Sequence, residues 1–551
     1  MDKRFFLALV LSLMVIAVTQ MLFPSAKRPV VQPPVIATST AATITSTAPS
    51  PGTVPGNAVA PSAGGDGVSA SPVRAQIAPQ NATITTAKAI FTLTNVGAEL
   101  SSVVMKDYRS SAHAGQPVEL AVTGKRLLSF KLVLPTDTIP LGNVAFTQHS
   151  DSTGKSVRYD AVVKNIPLSV IYSEGADPYV LQATARLGAG GSGAFLVTAL
   201  PTTLKSAEAD TLMDHGSLAY AFKLKNDHPR SVLFAKLDPG ESRLEPGPLE
   251  WVAVKSKYFV FGILAREKKS SFAEVTFTGG PRTSKIPTNA AASLVQKESD
   301  GQFGFDIYAG PQESQRLMSL GRDFDQVNPY GWSFLQPVVH PIASLVIRML
   351  LWMHNVLQLG YGWVLVILGI AIRLLLWPLN QTTMRSSLKM QAIQPKLAAV
   401  QKKYKDNPEK QREAIMKVYQ EEGVNPLAGL AGCLPALLPM PIFFALFFVF
   451  QNTIEFRGVP FLWLHDISVK DPFYILPLLM GVSMYVLSWI GMRASPPNPQ
   501  AKMMGYMFPV MMTAFLLNMA SGLNLYYTAQ NIAALPQQWL LARERARRAV
   551  A

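Results

Sequence analysis

Long apolar runs crowd the last third of the sequence and constrain the fold more than any other feature. Of 551 residues, 49% are hydrophobic and 15% are charged, but the apolar residues are unevenly placed. An α-helix needs about 20 predominantly apolar residues to cross a lipid bilayer. Six runs approach that length: 5–23, 361–379, 433–450, 473–489, 503–517 and 523–541. The sequence therefore predicts an α-helical polytopic membrane protein with a five-helix core and an N-terminal anchor helix.

Basic residues between these runs indicate which side of the membrane each loop occupies. Lys and Arg are abundant in the loop after the second run and in the segment after the sixth, whereas loops 451–471 and 518–522 carry only Arg457 and Lys470. Basic loops favour the cytoplasm. Both termini are then expected in the cytoplasm, and the large segment between the first and second runs is expected on the outer side.

The first 79 residues divide into an apolar run and a segment of low complexity. Residues 1–23 have the basic start and apolar core of a signal sequence, but residues 24–28 make a poor cleavage site, so we expect an uncleaved transmembrane anchor. Residues 24–79 are rich in Pro, Ala, Ser and Thr and cannot bury enough apolar surface to order themselves. They are expected to form a flexible tether.

Short alternating runs fill residues 80–325, as in 89–94 and 129–134, and turn residues separate them. This pattern predicts an all-β sandwich of antiparallel strands. Sugar sites favour aromatic platforms, yet Trp251 is the only Trp between residues 71 and 330. A docking or spacer domain is therefore favoured over a glycan-binding one.

Further helices are expected at the two membrane surfaces. Residues 326–358 mix apolar residues with Gln336, Arg348 and others, which favours an amphipathic helix in the outer interface. Residues 381–424, inside a core that spans 359–545, are typical of a cytoplasmic helical hairpin, and residues 546–551 of a basic tail. The basic hairpin surface suits anionic lipids, RNA or a protein partner, although a merely solvated face explains it equally well.

Arg373 is the strongest candidate for a functional residue, because it is the one charged residue in the run 361–379. An arginine at the bilayer centre costs about 2.5–3.5 kcal/mol on insertion scales, so we expect it to face water or protein. The alternative is snorkelling, since Arg373 lies only about 9 Å along the helix axis from the end of the run. No Asp or Glu lies within the five late runs, so solvent is its expected counterpart.

The sixth run places polar side chains on one helical face, and the third and fifth runs offer soft apolar surfaces. Asn524, Tyr527, Thr528 and Asn531 recur at helical spacing and are predicted to line a hydrated groove with Arg373. Ordinary hydrogen bonding between helices is the alternative. Met and Phe surfaces can repack around varied apolar partners, although lipid contact explains them as well. The expected apolar surface consists of Phe443, Phe447, Met503, Met507 and Met511.

Several classes of function lack support in the sequence. Cys433 is the single cysteine, and the seven histidines show no metal-ligand spacing, so we expect no disulfide and no metal site. A secondary transporter is the main alternative, since it would also carry an intramembrane arginine. The late runs show neither an inverted repeat nor an intramembrane carboxylate, which counts against it.

Seven short motifs together resemble the YidC family of membrane protein insertases, in the Gram-negative form with a large periplasmic domain. They extend from Tyr330 to Tyr527 and are Tyr330-Gly-Trp332, Arg373…Trp377-Pro-Leu379, Gln394-Pro-Lys396, Val424-Asn-Pro-Leu427, Met440-Pro-Ile-Phe443, Asp471-Pro-Phe-Tyr-Ile-Leu-Pro477 and Ser521-Gly-Leu-Asn-Leu-Tyr-Tyr527. One departure is Gly369, which stands where some relatives have a hydroxyl residue.

The resemblance implies an inner-membrane chaperone and insertase that is not an enzyme and uses no cofactor or small-molecule substrate. In the family, a hydrophilic groove open to the cytoplasm and to lipid receives the polar end of a client, with the arginine that matches Arg373 at its centre. The client's apolar segment then passes the third and fifth helices into the bilayer. The implied partners are nascent membrane proteins, the Sec translocon, the ribosome and signal-recognition targeting factors, and anionic phospholipids.

Overall fold

Two structural units follow one another along the chain, a β-rich domain and a helical bundle. The computed structural model describes residues 79–550 except 114, 190, 267–270, 283–285, 329, 331–335, 379–380, 382–392, 394–395, 398, 405–406, 422–439 and 494–498. The predicted anchor and nearly all of the predicted tether lie outside the described residues.

The β-rich domain contains eighteen strands within the described residues, and all their pairings are antiparallel. The strands are β1 Asn81–Thr85, β2 Ala89–Thr94, β3 Glu99–Arg109, β4 Pro117–Glu119, β5 Ser129–Leu134, β6 Asp137–Pro140, β7 Thr147–Ser150, β8 Ser156–Val163, β9 Ile166–Glu174, β10 Val180–Leu187, β11 Phe195–Ala199, β12 Ala219–Leu224, β13 Arg230–Leu233, β14 Ser242–Lys255, β15 Phe259–Ala265, β16 Phe272–Gly279, β17 Ala290–Lys297 and β18 Gln302–Pro311.

The strands form a four-stranded sheet, β1 to β4, and a fourteen-stranded sheet. The large sheet runs β6-β5-β11-β17-β16-β14-β15-β18-β10-β9-β8-β7, with β12 attached to β14 and β13 attached to β12. Although β5 and β18 stand far apart in this order, the rings of Phe130 and Phe305 lie 6.3 Å apart. The large sheet therefore folds back on itself into two layers, as predicted for a sandwich. The side chains of each strand alternate between the two faces of the sheet, so the apolar ones meet between the layers. In β5, for example, Leu132 points inward and is buried, whereas Lys131 points outward and is exposed.

The helices begin beside the β domain and then form the bundle. They are α1 Thr211–Gly216, α2 Ser314–Ser319, α3 Gln336–Leu357, α4 Tyr361–Leu375, α5 Pro408–Glu421, α6 Met440–Asn452, α7 Ile475–Arg493, α8 Pro499–Leu516 and α9 Ser521–Val550. In the bundle, α4 packs against α3 and α9, α6 against α3, and α7 against α8 and α9.

Small residues allow the bundle helices to approach closely. A Cβ added at Gly362 of α4 would lie 2.1 Å from the ring of Phe461, and one added at Gly481 of α7 would lie 2.2 Å from the hydroxyl of Thr513 on α8. Pro509 has no N–H for the carbonyl of Gly505, and the Ser488 hydroxyl donates to that carbonyl instead, at 2.8 Å. Close backbone approach and polar side chains thus hold α7 against α8.

Asp471 explains one of the motifs that carried the family resemblance. Its buried carboxylate accepts hydrogen bonds from the backbone N–H groups of Phe473 (3.0 Å) and Leu476 (2.8 Å) and from the indole of Trp463 (3.2 Å). Leu476 lies in the first turn of α7, whose N–H groups have no partner within the helix, and Phe473 lies two residues before the helix begins. The motif therefore begins a membrane helix and ties the preceding loop to it.

Several segment predictions can be compared with the described helices. Two of these helices are long and apolar enough to cross a membrane, Gln336–Leu357 and Ile475–Met492, and three shorter apolar ones are Tyr361–Leu375, Pro441–Asn452 and Gly505–Leu516. The first was predicted to lie in the interface, yet its length and composition also suit a span. The core was predicted to end at 545 and to be followed by a basic tail at 546–551, and α9 extends through the described part of that tail to Val550.

The predicted hairpin 381–424 is described in part. Its second arm is α5, Pro408–Glu421, and the side chain of Asn407 accepts a hydrogen bond from the N–H of Lys410 at 3.2 Å. Asn407 therefore caps α5, and Pro408, which has no N–H to pair, suits the first position of this helix. Gln411 donates to the carbonyl of Gln401 at 3.1 Å and so joins the two arms.

Candidate functional site

Arg373 lies in the last turn of α4, a helix whose other residues are uncharged. Its side chain is partly buried, and Nε is fully buried without a hydrogen-bond partner among the residues that the structure describes. Buried N–H donors in proteins are nearly always paired, with protein or with water. This donor is therefore available to water or to a bound polypeptide.

The polar face predicted on α9 is present, and much of it is hydrogen-bonded within the bundle. Asn524 is fully buried and donates from Nδ2 to the carbonyl of Leu516 on α8 at 3.1 Å, while its Oδ1 has no partner in the described part of the chain. The Thr528 hydroxyl donates to the carbonyl of Asn524 at 2.7 Å, one turn earlier in the same helix. Asn524 therefore fastens α9 to α8 with its amide nitrogen and leaves its oxygen free.

Asn531 connects α9 to α7. Its Nδ2 donates to the Ser483 hydroxyl at 3.1 Å and to the carbonyl of Met480 at 3.4 Å. Ser483 was not among the predicted site residues, although a small hydroxyl residue in an otherwise apolar run is the signal that could have found it. For Asn524, Thr528 and Asn531, hydrogen bonding within the bundle is thus observed, and their role in a groove stays a prediction.

Helix α4 packs on α9 through a different set of residues. A Cβ added at Gly369 would lie 3.0 Å from the carbonyl oxygen of Tyr526, and just after α4 the carbonyl of Trp377 accepts a hydrogen bond from the Gln537 amide at 3.3 Å. Tyr526 and Gln537 stand about three turns apart on α9, on the side away from Asn524. Within the described residues, no hydrogen bond joins Arg373 to the four predicted polar residues.

Tyr527 belongs to the predicted polar face of α9 and also contacts the predicted apolar surface. Its ring lies 5.5 Å from that of Phe443 on α6, and its hydroxyl is buried without a partner among the described residues. Further along α6, the ring of Phe447 stacks on that of Phe515 of α8 at 6.4 Å. The structure therefore brings the aromatic side of α6 against α9 and α8.

The three methionines predicted on α8 form an exposed row. Met503, Met507 and Met511 are 49%, 38% and 53% exposed, whereas Met512 beside them is partly buried in the bundle. An exposed row on a membrane helix is available to lipid and to apolar client segments alike. Among the described residues, no cluster of three or more His, Cys, Asp or Glu could hold a metal ion.

Comparisons with known proteins cover both units. Residues 352–548 match the family described as "60Kd inner membrane protein", and residues 81–343 match "YidC periplasmic domain". The "Membrane protein insertase YidC" of Chloroherpeton thalassium is 30% identical over 482 residues, which cover 82% of this chain and 80% of that protein. The protein of the same description from Chlorobium phaeovibrioides is 32% identical over 495 residues, covering 82% and 81%.

Among solved structures, the chain matches the "Active YidC insertase crystal structure with the first transmembrane domain resolved". It is 16% identical, covers 83% of this chain and 92% of its own, and has a TM-score of 0.32. A similarity this low supports no inference by itself.

Proposed function

This chain belongs to the YidC family of membrane protein insertases, and on that premise we propose that it passes client segments into the bilayer across a site that includes Arg373, Tyr527 and Phe443. The family is one of integral inner-membrane proteins, and its members are named as insertases rather than enzymes. The comparisons give no support to a secondary transporter.

The observation that carries the proposal is Nε of Arg373, which is buried without a hydrogen-bond partner among the described residues. A buried donor on an otherwise uncharged helix favours an acceptor that arrives with water or with a polypeptide. Polar and acidic groups at the end of a client segment supply such acceptors. On α9, the Tyr527 hydroxyl and Asn524 Oδ1 are also buried without a partner among the described residues, and they offer a further donor and acceptor.

Apolar client segments would follow a second surface. Phe443 lies against Tyr527, and Phe447 lies against Phe515, so an aromatic row leads along α6 toward α8. The exposed methionines of α8 would continue it toward lipid. Met side chains are flexible and polarisable, which suits contact with clients of varied sequence. Transfer from water to lipid of an apolar segment is favourable in itself, so no nucleotide hydrolysis is required.

The proposed orientation and partners follow from charge. We place both termini and α5 in the cytoplasm and the β domain in the periplasm, by the positive-inside rule. The basic hairpin and the arginines at the end of α9 would then meet anionic phospholipids, ribosomes or signal-recognition targeting factors, and the Sec translocon would act beside the bundle in the membrane. Co-sedimentation with ribosomes at rising salt tests the ribosome contact, which should weaken steeply if RNA phosphates are bound.

An insertion assay in proteoliposomes with a small client that has an acidic translocated end tests the function directly. We expect Arg373→Ala to abolish most insertion and Arg373→Lys to retain much of it, because a compact cation also holds water. Arg348→Ala is the matched control, since Arg348 is an exposed arginine on the apolar helix α3. Equal insertion by Arg373→Ala, Arg348→Ala and the unaltered chain would refute the role of Arg373.

A further inference from the structure

The outer loop that follows α6 is inserted into the β domain. Ile454 is 2% exposed and belongs to the hydrophobic core of the β domain. Phe456, two residues later, belongs to the core of the bundle, where its ring lies 5.3 Å from that of Phe450 and 5.5 Å from that of Tyr361. The turn Ile454–Phe456 therefore joins the two cores.

Arg457 continues this junction with a buried ion pair. Its Nε lies 2.8 Å from Oε1 of Glu208, and the two side chains are 8% and 11% exposed. A second guanidinium nitrogen donates to the carbonyl of Arg109 at 2.8 Å, and the guanidinium stands over the ring of Phe259 at 5.6 Å. Removal of one partner of such a pair leaves an uncompensated buried charge, so the pair resists separation of the units.

Glu455 supplies a third contact, on the other side of the turn. Its Oε1 accepts a hydrogen bond from the N–H of Ser314 at 2.9 Å. Ser314 begins α2, and the chain continues from α2 to α3, which packs against α6. The outer end of α6 is therefore held in two ways, directly by the contacts of the turn with the β domain and indirectly through α3, which packs against α6.

We propose that residues 454–457 are a latch that fixes the outer end of α6 to the β domain, with Arg457 as a positioning residue for the Phe443 and Phe447 surface. This inference rests on the proposed function, in which client segments cross that surface. Phe443 lies eleven residues before Ile454, about 16 Å along a helix axis. Because the outer end of α6 is fixed, a passing client displaces mainly the inner end of this helix. After the client has left, α6 returns to its position against α9.

The latch can be tested in the full-length chain. Spin labels are attached in a Cys433→Ser background through Asn452→Cys, at the outer end of α6, and Val482→Cys, on the exposed side of α7. Glu208→Gln should broaden the distance distribution between the labels and slow insertion by about threefold or more. Arg457→Ala should do the same, and the double variant should be no worse than Arg457→Ala alone, because it leaves no unpaired charge.

Arg282→Ala is the matched control, since it breaks an exposed ion pair of the β domain with Asp238 at 2.9 Å. It should alter neither the distance distribution nor insertion. An unchanged distribution in both Glu208→Gln and Arg457→Ala would overturn the latch, as would a broadened distribution with insertion equal to that of Arg282→Ala. Failure of the proposed function gives a different result, in which the unaltered chain inserts nothing while the labels still report on the junction.

Discussion

The ring of Tyr527 on α9 lies 5.5 Å from the ring of Phe443 on α6, and the hydroxyl that this ring carries is buried without a partner among the described residues. One side chain thus presents an apolar face to the aromatic row and a polar group to the interior. A residue of this kind suits a passage that handles both the polar end and the apolar body of a client.

Tyr527→Phe separates these two roles. Loss of an unpaired buried hydroxyl should leave the thermal midpoint unchanged or slightly higher, because the folded chain no longer desolvates it. Insertion should nevertheless fall several-fold if the hydroxyl binds water or client. Tyr526→Phe is the control, since its hydroxyl is also buried and unpaired in the described part of the chain. Identical insertion rates for the two variants would assign Tyr527 to packing alone.

Asp471→Ala should destabilise the bundle by roughly 2–4 kcal/mol, because three donors around a fully buried carboxylate lose their acceptor. Thermal unfolding in detergent measures the loss. Asp466→Ala provides the comparison, since Asp466 is partly exposed and its side chain accepts a hydrogen bond from the N–H of Ser468 at 2.7 Å. An Asp471→Ala midpoint no lower than that of Asp466→Ala would contradict the capping role.

Glu455 predicts a pH dependence of the junction between the units. Burial raises the pKa of this carboxyl above its ordinary value of 4.5, and the nearby Glu313 raises it further. The folded chain therefore binds the proton more tightly, so the free energy of unfolding falls as pH rises from about 4.5 through the folded pKa. Glu455→Gln keeps an acceptor for Ser314 without a charge.

The Glu455→Gln variant should be more stable than the unaltered chain at pH 8, and the difference should shrink toward pH 5. Thermal midpoints across this range measure it, with Asp238→Asn as a control at an exposed carboxylate. A difference that grows as the pH falls has the wrong sign and would exclude a raised pKa at Glu455.

The β domain should modulate insertion rather than perform it. The test is a deletion of most of 29–325 combined with Ile454→Ser, which replaces an apolar side chain that the deletion would expose to water. This variant lacks the latch but keeps Arg373, Tyr527 and Phe443. Insertion of a simple client should therefore fall no further than in Arg457→Ala. Complete loss of insertion by a deletion that is stably expressed and correctly oriented would show that the β domain takes part in the transfer.

Local patterns were sufficient to predict much of this architecture. Period-two alternation identified the β domain, and apolar length identified α7, which is long and apolar enough to cross a membrane, because both signals depend only on neighbouring residues. Arg373 was selected as a candidate for the same reason, since a charge in an apolar run is conspicuous, and its role stays a prediction. The family comparisons confirm the predicted insertase family and periplasmic domain type.

Partners distant in sequence could not be found in this way. Ser483 binds Asn531 across two helices, and no local pattern specifies which helices meet. Arg457 stood out only as one of two basic residues in loop 451–471. Arg457 pairs with Glu208, which lies 249 residues away in the β domain. The fold of the whole chain brings these two residues together, and the loop sequence alone does not indicate the partner.

The accessibility of position 373 to water tests the central claim most directly. Arg373→Cys is made in a Cys433→Ser background, and a membrane-impermeant thiol reagent is added from the cytoplasmic side. The thiolate is the reactive form, so labelling requires water at that position. Leu368→Cys, fully buried in the same helix, and Leu374→Cys, 56% exposed and expected to face lipid, are the matched controls. The account predicts rapid labelling at 373 and little at either control; an unreactive cysteine at 373, together with full insertion by Arg373→Ala, would contradict it.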